Sequence, residues 1–343
     1  MPELPEVETT VRDLRPRVVG RSFDEVEVGV PRMVRTPSPE ALKRRLKGRQ
    51  IVALERRGKY MAFQLDQGAL VVHLMMGGAL LFVPRKDRSQ PVHLLQSSSS
   101  SSGLRTLQSM NDLKALQNLN GLRLSDKRFR RGSNDLQRPE RRPEALEGPV
   151  EVPGGEPWMA RDPAKYTRLR FVLDDGSELW LVNPRTLGNV WLVDSAEQVT
   201  GRLGPEPLSE AFTVAVLRER LRGHSAPIKT LLLDQGVVAG IGNIYADESL
   251  FLAGIRPERP GDELSDNEIA RLHRAVIDVL EKGIRLRGTF LGDFLDPFGK
   301  RGENQLALNV FRKGGQPCPK CGTTIERKMF RGRGTHFCPT CQK

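Results

Sequence analysis

Residues 240–257 read GIGNIYADESLFLAGIRP, a glycine-rich turn followed by a helix. Gly240 and Gly242 allow a tight backbone turn, and Asn243 opens a helix that is expected to end near Ala253. Free backbone N–H groups at a helix start bind phosphate well, and Lys229 begins the preceding predicted helix. A glycine-mediated packing turn between two helices explains the same residues equally well.

Helical patterns surround this stretch from about residue 205 onward. Apolar spacing predicts helices over roughly residues 209–222 and 227–234. A further helix opens at Ser265, where Ser-Asp-Asn-Glu forms a capping box with Glu268. The tail from Asn309 is expected to be a short hairpin.

Strand patterns precede the helical half. Short apolar stretches, separated by turn residues such as Gly and Asp-Gln-Gly, read IVALERR, KYMAFQL, ALVVHLM and ALLFV. LRFVLDDGSELWLVN adds two strands around an Asp-Asp-Gly turn. These stretches predict an antiparallel β-sandwich or barrel-like domain. A helix over residues 2–18, which Pro16 must kink or shorten, comes before it.

A stretch of different composition interrupts the strands between about residues 88 and 163. It contains six consecutive serines, Ser97 to Ser102, then a basic run over residues 123–142 and a piece rich in Pro, Gly and Glu. This composition predicts a largely disordered insertion. A solvated linker is favoured over a DNA contact for its basic run.

The 343-residue chain has a formal net charge of +12, which favours a polyanionic partner. Nucleic acid is the leading candidate, because Lys and Arg neutralise phosphates. Only 6% of the residues are aromatic, so extended base stacking is not the expected mode. No apolar run approaches the roughly 20 residues of a spanning helix, and the first residues lack a signal-peptide pattern. We therefore expect a cytoplasmic protein with no membrane partner.

All four cysteines lie near the end of the chain, as Cys318-x2-Cys321 and Cys338-x2-Cys341. This spacing predicts two knuckles that close on one tetrahedral Zn²⁺ ion, and four thiolates with no open position make the ion structural. Basic residues between the knuckles would face phosphate. They are Arg327, Lys328, Arg331 and Arg333.

Pro2, Glu3 and Glu6 crowd into the first residues. Removal of Met1 would leave the secondary amine of Pro2 free, and an α-amino group has a pKa of about 7.7–8.0. Such an amine can attack the anomeric carbon of a sugar and form an iminium, while adjacent carboxylates move protons. Taken alone, these residues more often simply begin a helix, where acids are favoured by the helix dipole.

Taken together, the motifs resemble those of the formamidopyrimidine-DNA glycosylases. Matching segments occur in the family's order and cover nearly all the chain except the insertion. They are MPELPEVET at the start, Gly58-Lys59-Tyr60, HLMMGG at residues 73–78, Asn183-Pro184-Arg185, residues 240–257, and RGTHFCPTCQ at residues 333–342.

The resemblance implies a multidomain α+β fold. Residues 1–200 would form an N-terminal catalytic β-sandwich domain, interrupted by the insertion. A helix–two-turn–helix DNA-binding domain would cover residues 205–300, and a C-terminal zinc-finger domain with four cysteine ligands would cover residues 308–343. The expected partner is damaged double-stranded DNA in the cleft between the lobes, bound by a monomer associated with the nucleoid.

The resemblance also implies residue roles. Pro2 would be the nucleophile, Glu3 the general acid that assists sugar-ring opening, and Glu6 a support of the site. Lys59, on a β-turn, would contact phosphate or the lesion. Three further residues match phosphate-binding positions: Lys229, Asn243 and Arg333. The damaged nucleotide must flip out of the stack before the amine can reach its sugar.

The chain departs from the family pattern at two recognition loops. Met76 and Arg185 match two of the side chains that fill the gap left by flipping, but the third, usually Phe, is Leu187 here. Leucine is still an apolar wedge. In the loop that covers oxidised guanine, a Gly-Gly-Thr-Thr-like start is replaced by Arg287-Gly288-Thr289-Phe290.

Three functions remain open at this point. A bifunctional glycosylase/lyase for oxidised purines is favoured by the Pro-Glu-Leu-Pro-Glu start. An endonuclease-VIII-like activity on oxidised pyrimidines is the second. A damage-binding protein without turnover is the third, and intact Pro2, Glu3, Lys59 and Asn243 argue against it.

Overall fold

The computed structural model describes residues 1–85, 163–292 and 294–343, which belong to one structural unit of the chain. The expected disordered insertion lies almost wholly outside these residues, and its disorder stays a prediction. The α+β multidomain class is confirmed, while the predicted domain boundaries stay predictions.

Two sheets form the first half of the described chain. One has the strand order β1-β7-β8-β6, and the other has the order β2-β9-β5-β4-β3. The strands are β1 (Phe23–Val28), β2 (Val34–Thr36), β3 (Ile51–Arg57), β4 (Tyr60–Leu65), β5 (Ala69–His73), β6 (Ala79–Val83), β7 (Thr167–Leu173), β8 (Glu178–Val182) and β9 (Asn189–Val193).

The sheets share a core with helix α1 (Leu4–Val18), as a sandwich requires. Val7 and Leu14 of α1 pack in one cluster with Phe23 and Phe171 of the first sheet and Phe63 of the second. All strand pairs in the two sheets are antiparallel except β2 with β9. That parallel pair joins strands far apart in sequence, so no local turn signal could predict it.

The other helices build the second half and the edges of the sandwich. They are α2 (Pro39–Leu46), α3 (Pro163–Tyr166), α4 (Glu197–Thr200), α5 (Val214–Leu221), α6 (Ile228–Leu233), α7 (Asn243–Ala253) and α8 (Asp266–Arg285). Apolar side chains of α5 to α8 form a second core. The chain ends in the hairpin of β10 (Glu326–Phe330) and β11 (Arg333–Phe337).

The structure corrects two helix predictions. The helix expected from residue 209 begins at Val214, because Thr213 caps it by accepting the N–H of Val216 at 3.2 Å. The early end expected at Pro16 is wrong, because α1 continues to Val18, while the alternative of a kink stays a prediction. Pro16 lies in the last turn, where a missing N–H removes one hydrogen bond from a helix that is already ending.

No helix in the described ranges combines the length and the apolar character needed to cross a membrane.

Candidate active site

The carboxylate of Glu3 lies at the N-terminus of α7, although Glu3 itself precedes α1. It accepts hydrogen bonds from the N–H groups of Gly242 at 2.8 Å, Ile244 at 3.0 Å and Tyr245 at 3.3 Å. Its side chain is buried. The first N–H groups of a helix have no partner within the helix, and with the helix dipole they stabilise a negative charge.

Gly240 and Gly242 allow this close approach. A Cβ atom at position 242 would lie 2.3 Å from the carboxyl carbon of Glu3, and one at position 240 would lie 2.6 Å from a Leu4 methyl carbon. The turn was interpreted above as a phosphate site or as a packing turn. Glu3 accepts three of the N–H groups at the start of α7, which agrees with the packing interpretation, and a phosphate contact at Asn243 stays a prediction.

Glu6 lies beside Glu3 in the same buried cluster. Its carboxylate accepts the backbone N–H of Glu3 at 2.8 Å, the hydroxyl of Tyr245 at 2.7 Å and the backbone N–H of Thr289 at 2.7 Å. Burial raises the pKa of Glu6, and the neighbouring Glu3 raises it further, while the three hydrogen bonds lower it. Asn304 extends the cluster by donating to the Thr289 hydroxyl at 2.8 Å.

Pro2 and Lys59 complete the predicted catalytic set. Pro2 is buried and is bonded directly to Glu3. Lys59 lies in the tight turn between β3 and β4 and is also buried. Burial lowers the pKa of Lys59, the Glu3 and Glu6 carboxylates oppose that shift, and the guanidinium of Arg333 adds to it. The fold therefore brings these charges together from separate segments of the chain.

His73 is a site residue that the motif contained but to which no role was assigned. It ends β5, and its Nδ1 accepts the N–H of Met75 at 3.1 Å. Its ring packs edge-on against Tyr60 with 4.6 Å between centroids. Burial lowers the pKa of His73 to about 4, and the charge of Lys59 contributes. The imidazole is therefore neutral near pH 7.

The expected wedge side chains lie on two neighbouring loops. Met76 follows β5, while Arg185 and Leu187 lie between β8 and β9. Met76 is 37% exposed and Leu187 is 38% exposed, so part of each apolar side chain is free for insertion into another molecule. Arg185 Nη1 lies 3.8 Å from the sulfur of Met76. The structure thus places all three at the surface.

Asn183 joins these two loops, and sequence analysis assigned it no role. Its Nδ2 donates to the Leu74 carbonyl at 3.0 Å, and its Oδ1 accepts the N–H of Arg185 at 3.0 Å and of Leu187 at 3.4 Å. Asn183 is fully buried. A carboxylate could not donate to Leu74, so the amide suits this position.

Lys229 lies between α7 and the terminal hairpin. It is buried, and its ammonium contacts Asp247 at 2.6 Å, the Gly334 carbonyl at 3.1 Å and the Thr335 hydroxyl at 2.7 Å. Two hydrogen bonds and one ion pair therefore surround the ammonium. Lys229 thus joins α6 to the terminal hairpin, and its phosphate contact stays a prediction.

Asn243 and Arg333 flank that junction. The Nδ2 of Asn243 donates to the Gly334 carbonyl at 3.0 Å, while its Oδ1 is buried without a partner among the described residues. Arg333 begins β11 and is exposed. Burial is the main cause that lowers the pKa of Lys59 and of Lys229, and the charge of Arg333 lowers both further. Their phosphate contacts stay predictions.

The four cysteines form the expected metal site. Their sulfur atoms all lie within 4.8 Å of one another, with Cys318 and Cys341 at 3.9 Å and Cys321 and Cys338 at 3.5 Å. Zn–S bonds of about 2.3 Å in a tetrahedron require sulfur separations of roughly 3.8 Å. Backbone N–H groups also donate to two of the sulfurs. The residues fit one structural Zn²⁺ ion.

Two consecutive acids on α7 hold the terminal region, and sequence analysis missed both. Glu248 accepts the backbone N–H groups of Asn309, Val310 and Phe311 at 2.8–2.9 Å. Asp247 accepts the backbone N–H of His336 at 3.0 Å, in addition to its contact with Lys229. Such contacts appear only after folding, so spacing in the sequence could not show them.

Family comparisons agree with this three-part architecture. Models of the formamidopyrimidine-DNA glycosylase N-terminal domain, of that enzyme's H2TH domain, and of a zinc finger found in FPG and IleRS match residues 1–117, 203–294 and 315–343. The formamidopyrimidine-DNA glycosylase of Pelotomaculum thermopropionicum is 35% identical over all of this chain and 99% of its own length. That of Geobacillus kaustophilus is 36% identical, with both chains covered completely.

Solved structures show the same relationship. The Thermus thermophilus MutM (Fpg) protein matches with a TM-score of 0.70 and 33% identity, over 99% of this chain and 98% of that one. Lactococcus lactis Fpg in complex with DNA containing an abasic site matches with a TM-score of 0.70 and 31% identity, over 99% of each chain. The chain belongs to the formamidopyrimidine-DNA glycosylase family.

Proposed function

We propose that this protein is a base-excision repair enzyme that removes oxidised purines, such as 8-oxoguanine and formamidopyrimidines, from duplex DNA and then cleaves the strand. It is a formamidopyrimidine-DNA glycosylase with DNA-(apurinic or apyrimidinic site) lyase activity. The observation that carries the proposal is the buried cluster at the chain start. Glu6 accepts the N–H of Glu3, the residue bonded to Pro2, and the charges of both carboxylates oppose the fall in the pKa of Lys59 that burial causes.

The chemistry begins at the nitrogen of Pro2 once Met1 is removed. This secondary amine attacks C1′ of the flipped nucleotide, and the base leaves with the electron pair of the broken C1′–N bond and takes up a proton from solvent. The N–H proton of the attacking amine passes to the Glu3 carboxylate. Glu3 gives a proton to the ring oxygen as the sugar opens, which leaves an iminium between Pro2 and C1′. Loss of a proton from C2′ then drives elimination, which breaks the C3′–O bond so that the 3′ phosphate leaves, and water hydrolyses the iminium to free the Pro2 amine.

Burial and hydrogen bonding suit Glu3 and Glu6 to this task. Their carboxylates are held by N–H groups from three different segments, so little reorganisation is needed when the substrate arrives. The Tyr245 hydroxyl fixes one oxygen of the Glu6 carboxylate. Lys59 adds a cation beside the carboxylates, at the position proposed for phosphate or lesion contact.

DNA binding uses the exposed groups around this centre. Met76, Arg185 and Leu187 would fill the gap that a flipped nucleotide leaves in the stack. Asn243 and Arg333 would hold the phosphate backbone, which positions DNA without reading its sequence. The structural Zn²⁺ ion fixes the hairpin that presents Arg333, and no reaction step involves it. We expect a monomer with no obligate protein partner.

Borohydride trapping tests the proposal. The protein is incubated with duplexes that contain 8-oxoguanine, thymine glycol or no lesion, and borohydride reduces any iminium to a stable adduct. We expect an adduct and strand cleavage with 8-oxoguanine, and neither with undamaged DNA.

Each remaining outcome separates an alternative. A stronger adduct with thymine glycol would favour the activity on oxidised pyrimidines. Tight binding to lesion DNA without adduct or cleavage would favour the damage-binding protein, and would contradict the proposed chemistry.

A further inference from the structure

Arg287 follows α8 in an unusual backbone conformation. Its φ is +59°, in the left-handed region that favours glycine, and Gly288 follows with φ +83°. The guanidinium of Arg287 binds two carboxylates. Its Nη1 lies 3.3 Å from Asp13 Oδ1, and its Nη2 contacts Asp13 Oδ2 and lies 2.5 Å from Asp296 Oδ2.

These two carboxylates belong to different parts of the molecule. Asp13 is on α1, whereas Asp296 is buried within residues 288–304, described here except for residue 293. The other oxygen of Asp296 accepts the N–H groups of Phe298 and Lys300 at 2.9 and 2.8 Å. Arg287 therefore binds the 288–304 segment to α1 through charge-assisted hydrogen bonds.

The sandwich supports the same segment. The N–H of Phe82 in β6 donates to the carbonyl of Pro297 at 2.8 Å, and the Phe82 and Phe298 rings meet edge-on with centroids 6.5 Å apart. Phe290 and Leu295 pack in a cluster with Leu81 of β6. The segment is thus a packed wall of the site.

The start of this segment lies directly on Glu6. A Cβ atom at Gly288 would be 2.9 Å from the Glu6 Cγ atom, so nothing larger than glycine fits. The next residue, Thr289, donates its N–H to Glu6 at 2.7 Å. Asn304, at the far end of the segment, donates to the Thr289 hydroxyl and to the Tyr245 hydroxyl, at 2.8 and 3.3 Å.

We propose that Arg287 is a positioning residue, which holds the 288–304 segment against α1 so that Thr289 and Gly288 fix the Glu6 carboxylate. This inference rests on the proposed function and adds a residue to it. Arg287 does not touch the substrate; it acts through Asp13, Asp296 and the segment's backbone. Arg287 stands where the family has glycine, and its side chain forms these contacts.

Its effect can be read in the protonation of Glu6. The charged or titratable groups that face Glu6 are Glu3 from the start of α1, Tyr245 from α7 and Lys59 from the β3–β4 turn. The Thr289 N–H lowers the pKa of Glu6. Loosening the segment removes that hydrogen bond, so the pH limb that reports Glu6 should move to higher pH.

The test compares Arg287→Ala, Arg287→Lys and Asp13→Asn with a matched control, Arg218→Ala. Arg218 pairs with Asp266 at 2.7 Å on the exposed side of α5, far in sequence from the segment. Single-turnover excision of 8-oxoguanine is measured from pH 5 to 9, and Glu6→Gln identifies the limb that Glu6 governs. Amide hydrogen exchange of residues 286–304 is measured on the same proteins.

We expect Arg287→Ala and Asp13→Asn to slow excision about tenfold, to move the Glu6 limb upward and to speed exchange of the segment about tenfold. Arg287→Lys keeps a charge but cannot bind both carboxylates equally, so its values should be intermediate. The control should match the wild type in all three measurements.

Unchanged exchange and an unchanged pH limb in folded Arg287→Ala or Asp13→Asn protein would overturn the inference. A wild-type protein without excision would contradict the proposed function instead, and the exchange comparison would still decide whether Arg287 holds the segment. Should Arg287→Ala fail to fold, Asp13→Asn, which conserves side-chain size, gives the decision.

Discussion

The buried cluster of Glu3 and Glu6 differs from the wedge loops, the two loops that carry Met76, Arg185 and Leu187, in how its side chains are held. Glu3 and Glu6 are buried, and backbone N–H groups from other segments hold their carboxylates. Met76 and Leu187 are more than one-third exposed, and the contact from Arg185 to the Met76 sulfur is long, at 3.8 Å.

The difference follows from what each region has to do. A proton donor or nucleophile works best when its partners are fixed before the substrate arrives. A wedge must instead leave its apolar surface free until it enters the base stack. The buried side chains of Asn183 and His73 therefore hold the backbone of the wedge loops through hydrogen bonds.

Replacing Glu3 should give the largest effect on the excision rate, because Glu3 belongs to the buried cluster that carries the proposed chemistry. In Glu3→Gln, the amide can no longer deliver a proton to the opening sugar, and one of its N–H groups would face the start of α7. We expect single-turnover excision to fall by about 10³-fold. Binding to the lesion duplex, measured by fluorescence anisotropy, should stay within a fewfold of wild type. Wild-type excision by this variant would show that Glu3 is not the acid.

Replacing Asn183, which holds the wedge loops, should have the next largest effect, on the free energy of unfolding. Asn183→Asp places a carboxylate oxygen against the Leu74 carbonyl, so a buried hydrogen bond becomes a repulsion. We expect the free energy of unfolding to fall by about 3 kcal/mol, measured in urea. Asn183→Ser, which keeps a donor, serves as the control. Equal stability of the Asp variant and wild type would contradict the role given to the amide.

Acid should weaken the wedge loops through His73. Its pKa in the folded protein is about 4, against its ordinary value of 6.5. The unfolded state therefore binds the proton more tightly, and stability is lost as pH falls from about 6.5 towards 4. Between pH 7 and pH 5 we expect a loss of about 2 kcal/mol from this group.

The test of this pH effect is a difference between two proteins. Glu6 changes the free energy of unfolding in the opposite direction. Because its pKa is raised in the folded protein, stability is lost as pH rises and Glu6 ionises. His73→Gln can still accept the Met75 N–H but does not titrate, so its stability should fall less than that of wild type over this range. Parallel curves for the two proteins would count against a neutral, buried His73.

Replacing Leu187 should have the smallest effect on the folded protein. Leu187→Ala removes a side chain that is 38% exposed, so the melting temperature should hardly change. Excision from a duplex should nevertheless slow about tenfold, because the gap left by the flipped nucleotide is filled less well. Leu187→Phe, which restores the family's wedge, is the informative partner variant. Equal excision rates for Leu, Ala and Phe would remove this loop from lesion recognition.

Local sequence patterns were enough to predict several parts of the molecule. The spacing of Cys318, Cys321, Cys338 and Cys341 is enough to predict a tetrahedral site, and the sulfur positions agree. Alternation and turn residues predicted β3 to β8, and the capping box at Ser265 predicted the start of α8.

The remaining site residues depend on contacts between distant segments. The sequence left the turn before α7 open between a phosphate site and a packing turn. It could not show that Glu3, which lies 239 positions before Gly242, accepts an N–H group there. The sequence likewise could not show that folding brings Asp247, Gly334 and Thr335 around the ammonium of Lys229. Asn183 belongs to a matched motif, but the motif does not show that its amide joins two loops.

The most direct test of the account is to locate the covalent bond to DNA. The protein is trapped with borohydride on an 8-oxoguanine duplex, digested with nuclease and protease, and the modified peptide is sequenced by mass spectrometry. The account predicts a deoxyribose-derived fragment on the nitrogen of Pro2, in a peptide that has lost Met1. A fragment on Lys59, or on any other lysine, would contradict the claim that Pro2 is the nucleophile.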